Sequence, residues 1–389
     1  MSERIKILFI SRTSIFGGAE SSLCDLLRGI NKSLYYSIVI MPDKNGMLYS
    51  ELKELNIEVK IIKMPFIRKT LNIFLLIWFF LNLIFFNFYY IVIIKKINPK
   101  IVVCNSFQDS FFVAFPAKLL RKKLIIDIKN ILDKDWKKKI RAKLCGIFAD
   151  KIIASSKRNE EDFTKFNKKN YKAITIYDGL DFEDFAQNSS KVNVYDDFLE
   201  ENDSSLKIIN IGNLSELKGQ TLLIEAILTE KINKLDLKVF LFGDVYYKKD
   251  LPYKEKILNM IKDYNLENKV YLMGYKKNIK DYIKYSDILV HCPVLEEGLG
   301  MVVLQGFCYG KIVIGTNIGG IPEMIINGEN GFLCNVNKED LAEKILYVYN
   351  NFKKLDKIGD NSINTVRERF SLSQKILQTE NVFKELLNI

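Results

Sequence analysis

Histidine is nearly absent from this chain: His291 is the one imidazole in 389 residues. Chemistry that needs two histidine ligands, or a histidine base at any other position, is thereby excluded. The six cysteines, at 24, 104, 145, 292, 308 and 334, show no Cys-x-x-Cys spacing and mostly stand in apolar runs. That usage fits reduced, buried thiols rather than a disulfide or zinc framework, so no structural metal is expected. No Gly-x-Gly-x-x-Gly follows the first apolar run, which weighs against a dinucleotide-dependent reductase. Nor is there a secretory signal before it. Residues 1–6 hold no apolar stretch and 7–10 is too short to be one, so the expectation is a cytoplasmic protein.

What is abundant is apolar sequence, 48% of the chain, in a length greater than one core usually supports. Two domains of roughly 150 to 200 residues follow. Apolar runs at 6–10, 36–41, 58–62, 101–104, 124–127, 151–154 and 173–176 alternate with helical stretches. The alternation resumes at 206–211, 237–242, 270–273 and 287–291, with helices near 252–264 and 277–284. Strand and helix in alternation predict parallel sheets. Residues 178–205 turn polar and acidic, with Asp181, Glu183, Asp184, Asp196, Asp197, Glu200, Glu201 and Asp203. A linker is therefore expected at 181–205, between domains at 1–180 and 206–370, with an amphipathic helix closing the chain within 371–389.

The net charge is +11, and residues 121–172 carry seventeen Lys and Arg against seven Asp and Glu. Nearly the whole surplus therefore sits in one segment, the mark of a basic face turned to an anionic partner. Residues 133–150 read as a helix with Trp136, Ile140, Leu144 and Ile147 on one stripe and Lys137, Lys138, Lys139, Arg141 and Lys143 around it. Residues 71–94 run without charge between Arg68, Lys69 and Lys95, Lys96. The stretch is long enough to span a bilayer, but a single span would put strands of one sheet on both sides of it. Two readings remain: a crossover helix with one face on the sheet and the other in the membrane interface, or a wholly buried helix pair. An anionic membrane surface is the expected partner. A nucleic acid is not, since no stacking or groove-reading motif accompanies the charge.

The chemistry concentrates in residues 291–333. An apolar strand ending at His291 is followed by Glu296-Glu297-Gly298-Leu299-Gly300, which opens into a helix at Met301; a second glycine loop lies at 316–322. A helix start offers unpaired N–H groups and the positive end of a dipole, and glycine lets a diphosphate approach the backbone. Both loops follow strands, where open α/β sheets bind ligands. The alternative is a pair of ordinary strand-to-helix turns. Gly212-Asn213-Leu214-Ser215-Glu216-Leu217-Lys218-Gly219 places a cation at another helix entrance, Gly17-Gly18-Ala19-Glu20 follows the first strand, and Tyr275 follows a later one.

These motifs resemble the GT4-type retaining glycosyltransferases of the GT-B fold, whose hallmark is Glu-x7-Glu followed by Gly-Gly-x-x-Glu. Here the pattern runs from Glu297 to Gln305 and then Gly319-Gly320-Ile321-Pro322-Glu323, with Gly17-Gly18, Lys218-Gly219 and Gly328 to Gly331 also in family order. The resemblance implies an α/β architecture of two Rossmann-like domains with parallel sheets facing across a cleft. It implies a UDP- or GDP-sugar in the second domain, an acceptor presented by the first, and hexosyl transfer with retention. No metal cofactor is required. Glu297 then faces the donor sugar, and Lys218 meets the diphosphate together with the backbone of Gly298, Leu299, Gly300 and Met301. Gly17 and Gly18 approach the donor phosphate from the first domain, Tyr275 neighbours the base, and His291 has a structural or donor-adjacent place.

Three positions depart from the family. Asn213 replaces an Arg on the diphosphate, Gln305 replaces the acid on the ribose hydroxyls, and Asp127 or Lys129 stands where relatives hold an acceptor-side histidine. Gln305 still accepts a hydrogen bond, without the strength a charge adds, so weaker donor binding is inferred. The implied acceptor is a lipid-linked or membrane-proximal glycan of bacterial lipopolysaccharide or capsule synthesis, reached from the cytoplasmic face of the cell membrane by a peripheral enzyme. The rival is a catalytically weakened or non-catalytic relative that acts as a binding partner.

Overall fold

The computed structural model describes residues 4–64, 73–129, 135–167, 172–187 and 203–389. Most of the expected linker, Arg68, Lys69 and residues 71 and 72 of the uncharged stretch, and Asp133 lie outside the described residues. The chain divides into two compact units, Met1–Asp178 with Leu372–Ile389, and Gly179–Ser371.

The first unit is built on seven parallel strands: β1 (Ile5–Ile10), β2 (Tyr35–Met41), β3 (Glu58–Ile61), β4 (Ile101–Cys104), β5 (Lys123–Ile128), β6 (Lys151–Ala154) and β7 (Ala173–Thr175), in the order β3-β2-β1-β4-β5-β6-β7. The central strands lack polar alternation because both faces of the sheet are covered. Leu8, Ile10, Val102, Cys104, Leu124 and Ile126 face one core with helices Ile73–Ile97, Phe107–Leu119 and Asp135–Phe148. Ile7, Phe9, Val103 and Ile125 face the other, with helices Gly18–Gly29, Met47–Glu54 and Leu372–Leu387.

That last helix is tied to the unit by charge as well as by Val382 and Phe383. Lys375, only 6% exposed, donates to the carbonyl of Ser22 at 2.7 Å and pairs with Asp178 at 2.9 Å. Lys129 pairs with the same Asp178 carboxylate at 3.2 Å and with Asp127 at 2.9 Å. Burial alone would raise Asp178, but the two ammonium groups and the Ser22 hydroxyl outweigh it and hold the carboxyl well below its usual range.

The helix expected at 133–150 forms as Asp135–Phe148. Trp136, Ile140 and Ile147 are exposed, whereas Lys138 and Arg141 are buried. The reason is local. The small residues Ala142, Cys145 and Ala149 let this side approach the sheet, and Asp162, 2% exposed on the neighbouring helix Lys157–Thr164, takes Lys138 as its counter-ion at 3.3 Å. On helix Ile73–Ile97, Tyr90, Ile94 and Ile97 enter the core while Phe74, Ile77, Trp78, Leu81, Phe85, Phe88 and Val92 are exposed. Among the described residues no helix is long and apolar enough to cross a membrane.

The second unit repeats the plan with six parallel strands, β8 (Leu206–Ile211), β9 (Leu237–Phe242), β10 (Val270–Gly274), β11 (Ile288–His291), β12 (Ile312–Thr316) and β13 (Phe332–Cys334), ordered β10-β9-β8-β11-β12-β13. In each sheet the order reverses once, between β1 and β4 and between β8 and β11. Loops leaving those neighbouring strands diverge to opposite faces, and the space between them is where such sheets bind ligands.

Removing a partner from a buried ion pair leaves a charge without compensation, so Lys375→Met should destabilise the first unit by about 3 kcal/mol. Urea unfolding reports the loss, and hydrogen exchange should show the amides of Leu372–Leu387 losing protection first. A variant as stable as the parent would mean that apolar packing alone holds this helix.

Candidate active site

At the switch point of the second sheet, two loops carry the residues singled out in the sequence. β8 runs out into a single 3-10 turn, Glu216–Lys218, closed by Gly219 at φ 69°. A Cβ at Gly219 would lie 2.0 Å from the carbonyl oxygen of Cys292, so only glycine fits. This close approach lets the turn join the chain leaving β11: Val294 N–H donates to Leu217 at 2.9 Å, and the Cys292 thiol donates to Gly219 at 3.3 Å. Lys218 and Glu297, far apart in sequence, are thereby held together.

The Lys218 ammonium donates to Glu297 Oε1, and His291 Nε2 lies 3.0 Å from Glu297 Oε2. Burial would raise the Glu297 carboxyl, yet Lys218 and His291 together hold it well below the usual carboxylate range. Glu297 is therefore ionised at neutral pH and accepts from both neighbours. Its backbone is fixed too. Gly320 N–H donates to the Glu297 carbonyl at 3.0 Å, and a Cβ on Gly319 or Gly320 would stand 2.4 Å from Glu297 O or 1.9 Å from Gly298 O. The second glycine loop thus makes room for the first.

The remaining residues named for the donor divide by position. Gly298, Leu299 and Gly300 lead into helix Met301–Cys308, whose first turn has no side-chain cap, although Val303 N–H donates to the Gly300 carbonyl at 2.9 Å. Gln305 is one turn in and half-buried. Asn213, in the turn with Lys218, donates to Ser215 Oγ at 3.2 Å. Tyr275 is exposed beyond β10, which is separated from β11 by β9 and β8.

Gly17, Gly18 and Asp127 belong to the first unit. Gly17 starts helix Gly18–Gly29 and donates its N–H to Glu20 at 3.2 Å, while a Cβ on Gly18 would meet nothing within 4 Å. Asp127 is the penultimate residue of β5. Burial raises its carboxyl, with Lys129 partly offsetting, and it joins the charge cluster under the last helix. Lys375, Asp178 and Ser22 in that cluster were not visible as partners in the sequence, because three separate segments supply them.

A further acid escaped the sequence reading. Asp109, in the first turn of helix Phe107–Leu119, lies at the switch point of the first sheet and is 1% exposed. It accepts the backbone N–H of Arg12 at 3.1 Å and the Ser106 hydroxyl at 2.8 Å, joining the loops that leave β1 and β4. Burial, only partly offset by these donors and the Arg12 charge, raises its carboxyl to about 7. The available signal was its place three residues after the helix cap Ser106, next to the strand-order reversal.

Residues 193–365 match the family model "Glycosyl transferases group 1". An uncharacterized glycosyltransferase of Methanocaldococcus jannaschii is 27% identical over 96% of each chain. The Campylobacter jejuni N-acetylgalactosamine-N,N'-diacetylbacillosaminyl-diphospho-undecaprenol 4-alpha-N-acetylgalactosaminyltransferase is 28% identical over 61% of this chain and 60% of its own. Among solved structures, Anabaena HepE in complex with UDP-glucose aligns at a TM-score of 0.84 and 20% identity, covering 98% of this chain and all of that one. Two Rossmann-like units of this order define the GT-B fold. Over residues 193–365 the chain is similar to the group 1 glycosyltransferases.

An isolated aspartate titrates near pH 3.9, so between that pH and about 7 the folded chain keeps a proton on Asp109 that the unfolded chain has lost. Asp109 therefore makes stability fall as pH rises through this window, with no further change above it. Asp109→Asn should remove that component. Urea midpoints from pH 5 to 8 should show the variant gaining on the parent as pH rises; parallel curves would assign the slope elsewhere.

Proposed function

We propose that this chain transfers a hexosyl group, with retention, from a UDP- or GDP-sugar bound by its second unit to a lipid-linked or membrane-proximal glycan of the bacterial cell surface. The observation that carries the reading is the Lys218–Glu297 pair on adjoining loops at the switch point. Breaking the sugar–phosphate bond leaves negative charge on the departing diphosphate. Lys218 and the first-turn N–H groups of helix Met301–Cys308 are the donors that balance it, acting where charge develops. Glu297, kept ionised by its neighbours, does not protonate the leaving group. Its part is to accept hydrogen bonds from sugar hydroxyls. On the acceptor side, Asp127 is the candidate to orient or deprotonate the attacking hydroxyl, since burial raises it above a free aspartate. Of Gly17 and Gly18, which follow β1, Gly18 offers open backbone, while Gly17 is held by Glu20.

UDP-glucose in the Anabaena structure supports a nucleotide sugar, and the undecaprenol-linked acceptor of the Campylobacter relative supports a lipid-linked one. The exposed residues of helix Ile73–Ile97, with Trp136, Ile140 and Ile147 beside Lys137, Lys139 and Lys143, support a peripheral seat on an anionic membrane from the cytoplasmic side. Each basic residue near such a surface contributes about 1 kcal/mol.

Nucleotide release from UDP- and GDP-sugars, with and without lipid-linked acceptor, tests the assignment. Lys218→Ala should lower kcat/KM at least about 100-fold, as loss of one charge-stabilising donor does. Turnover of no sugar nucleotide, or an unaffected variant, would overturn the reading. Sedimentation with anionic vesicles tests the membrane seat. Replacing Lys137, Lys139 and Lys143 with Gln should weaken binding mainly at low salt, where charge acts beyond about 8 to 10 Å. Lys138 is left in place, since it neutralises Asp162.

A further inference from the structure

We propose that His291 is a positioning residue of the donor site, holding Glu297 toward the sugar while Lys218 passes from Glu297 to the donor diphosphate. The inference rests on the assignment of this site to a nucleotide sugar.

In the ligand-free site the two carboxylate oxygens of Glu297 have separate partners, Lys218 on Oε1 and His291 on Oε2. Lys218 stands on a flexible stem and is the cation of the turn that meets the phosphates. A diphosphate carries more charge than one carboxylate, so the ammonium moves toward it when donor binds. Glu297, with its side chain 19% exposed, then loses one of two compensating partners. It would follow Lys218, or turn to water, unless the other contact held it.

His291 is built to hold. It is the last residue of β11, in register with Gly315 of β12, and it is 1% exposed. Gly300, at φ 87°, passes so close that a Cβ there would lie 3.0 Å from Nε2, which confines the ring. Because Glu297 is ionised and accepts, the hydrogen on Nε2 points at it. A ring serving only to fill the core would need neither this hydrogen bond nor the gap at Gly300.

A positioning role makes a prediction that packing does not: loss of His291 weakens recognition of the sugar and spares recognition of the nucleotide. Calorimetry with UDP and with UDP-glucose separates the two, using GDP and GDP-mannose if the parent binds neither. His291→Phe fills the space without a donor and should cost tenfold or more in affinity for the sugar nucleotide, with the free nucleotide within about twofold of the parent. His291→Gln keeps an N–H at similar reach and should recover most of that loss. Lys218→Ala should weaken both ligands. If the Phe variant does not fold, His291→Asn, too short to reach Glu297, carries the same expectation. Equal losses for both ligands, or sugar-nucleotide affinity unchanged in the Phe or Asn variant, overturn the role of His291. A parent that binds none of the four ligands overturns the donor site itself.

Discussion

A carboxylate that stays ionised with four-fifths of its side chain withdrawn from water needs donors on every side, and the second unit is arranged around that need at Glu297. The strand-order reversal makes β8 and β11 neighbours, so a lysine following one can reach an acid following the other. Gly219 allows the Lys218 turn to touch the chain beyond β11, and Gly319 with Gly320 allows the second loop to brace the Glu297 backbone. Each of these glycines removes a side chain that would push the charges apart. The joining of the two loops, the depressed acid and the confined imidazole all follow from that one compensation.

The first unit has the same topology and a contrasting electrostatic outcome. At its switch point Asp109 also joins two loops, but through a backbone N–H and a hydroxyl, and burial prevails, leaving the acid near neutrality in its titration. Beneath the last helix, by contrast, Asp178 has two ammonium groups and is fixed as an anion. Three buried acids in one chain, Glu297, Asp178 and Asp109, thus reach two charge behaviours, set by the donors around each and not by depth alone.

The strand plan was legible because doubly covered parallel strands are short, uninterrupted apolar runs, and each such run from 6–10 to 287–291 forms a strand. The loops carrying Lys218 and Glu297 were legible for a related reason: glycine and charge directly after a strand mark a ligand-binding turn. Contacts between distant segments were not. Periodicity gave the helix Asp135–Phe148 its existence but not its inward face, which the small residues Ala142, Cys145 and Ala149 decide by letting that side approach the sheet. His291 could be placed at a strand end, but its hydrogen bond depends on how the loop folds back across six residues. Asp109 and Lys375 look like ordinary helix-surface residues in a linear reading, and only the sheet and helix opposite them make them buried.

The return of helix Leu372–Leu387 to the first unit has a consequence for how the protein is made. The segment Gly179–Ser371 lies between the two parts of that unit, so a ribosome delivers the whole second unit before the residue that completes the first. Until Lys375 emerges, Asp178 has Lys129 alone for compensation, and the apolar surface received by Val382 and Phe383 stays wet. The earliest strands to be synthesised are therefore among the last to be sealed. A chain stopped between residues 178 and 372 would carry a finished first sheet with an open flank, a state that quality-control proteases recognise by its exposed hydrophobic surface.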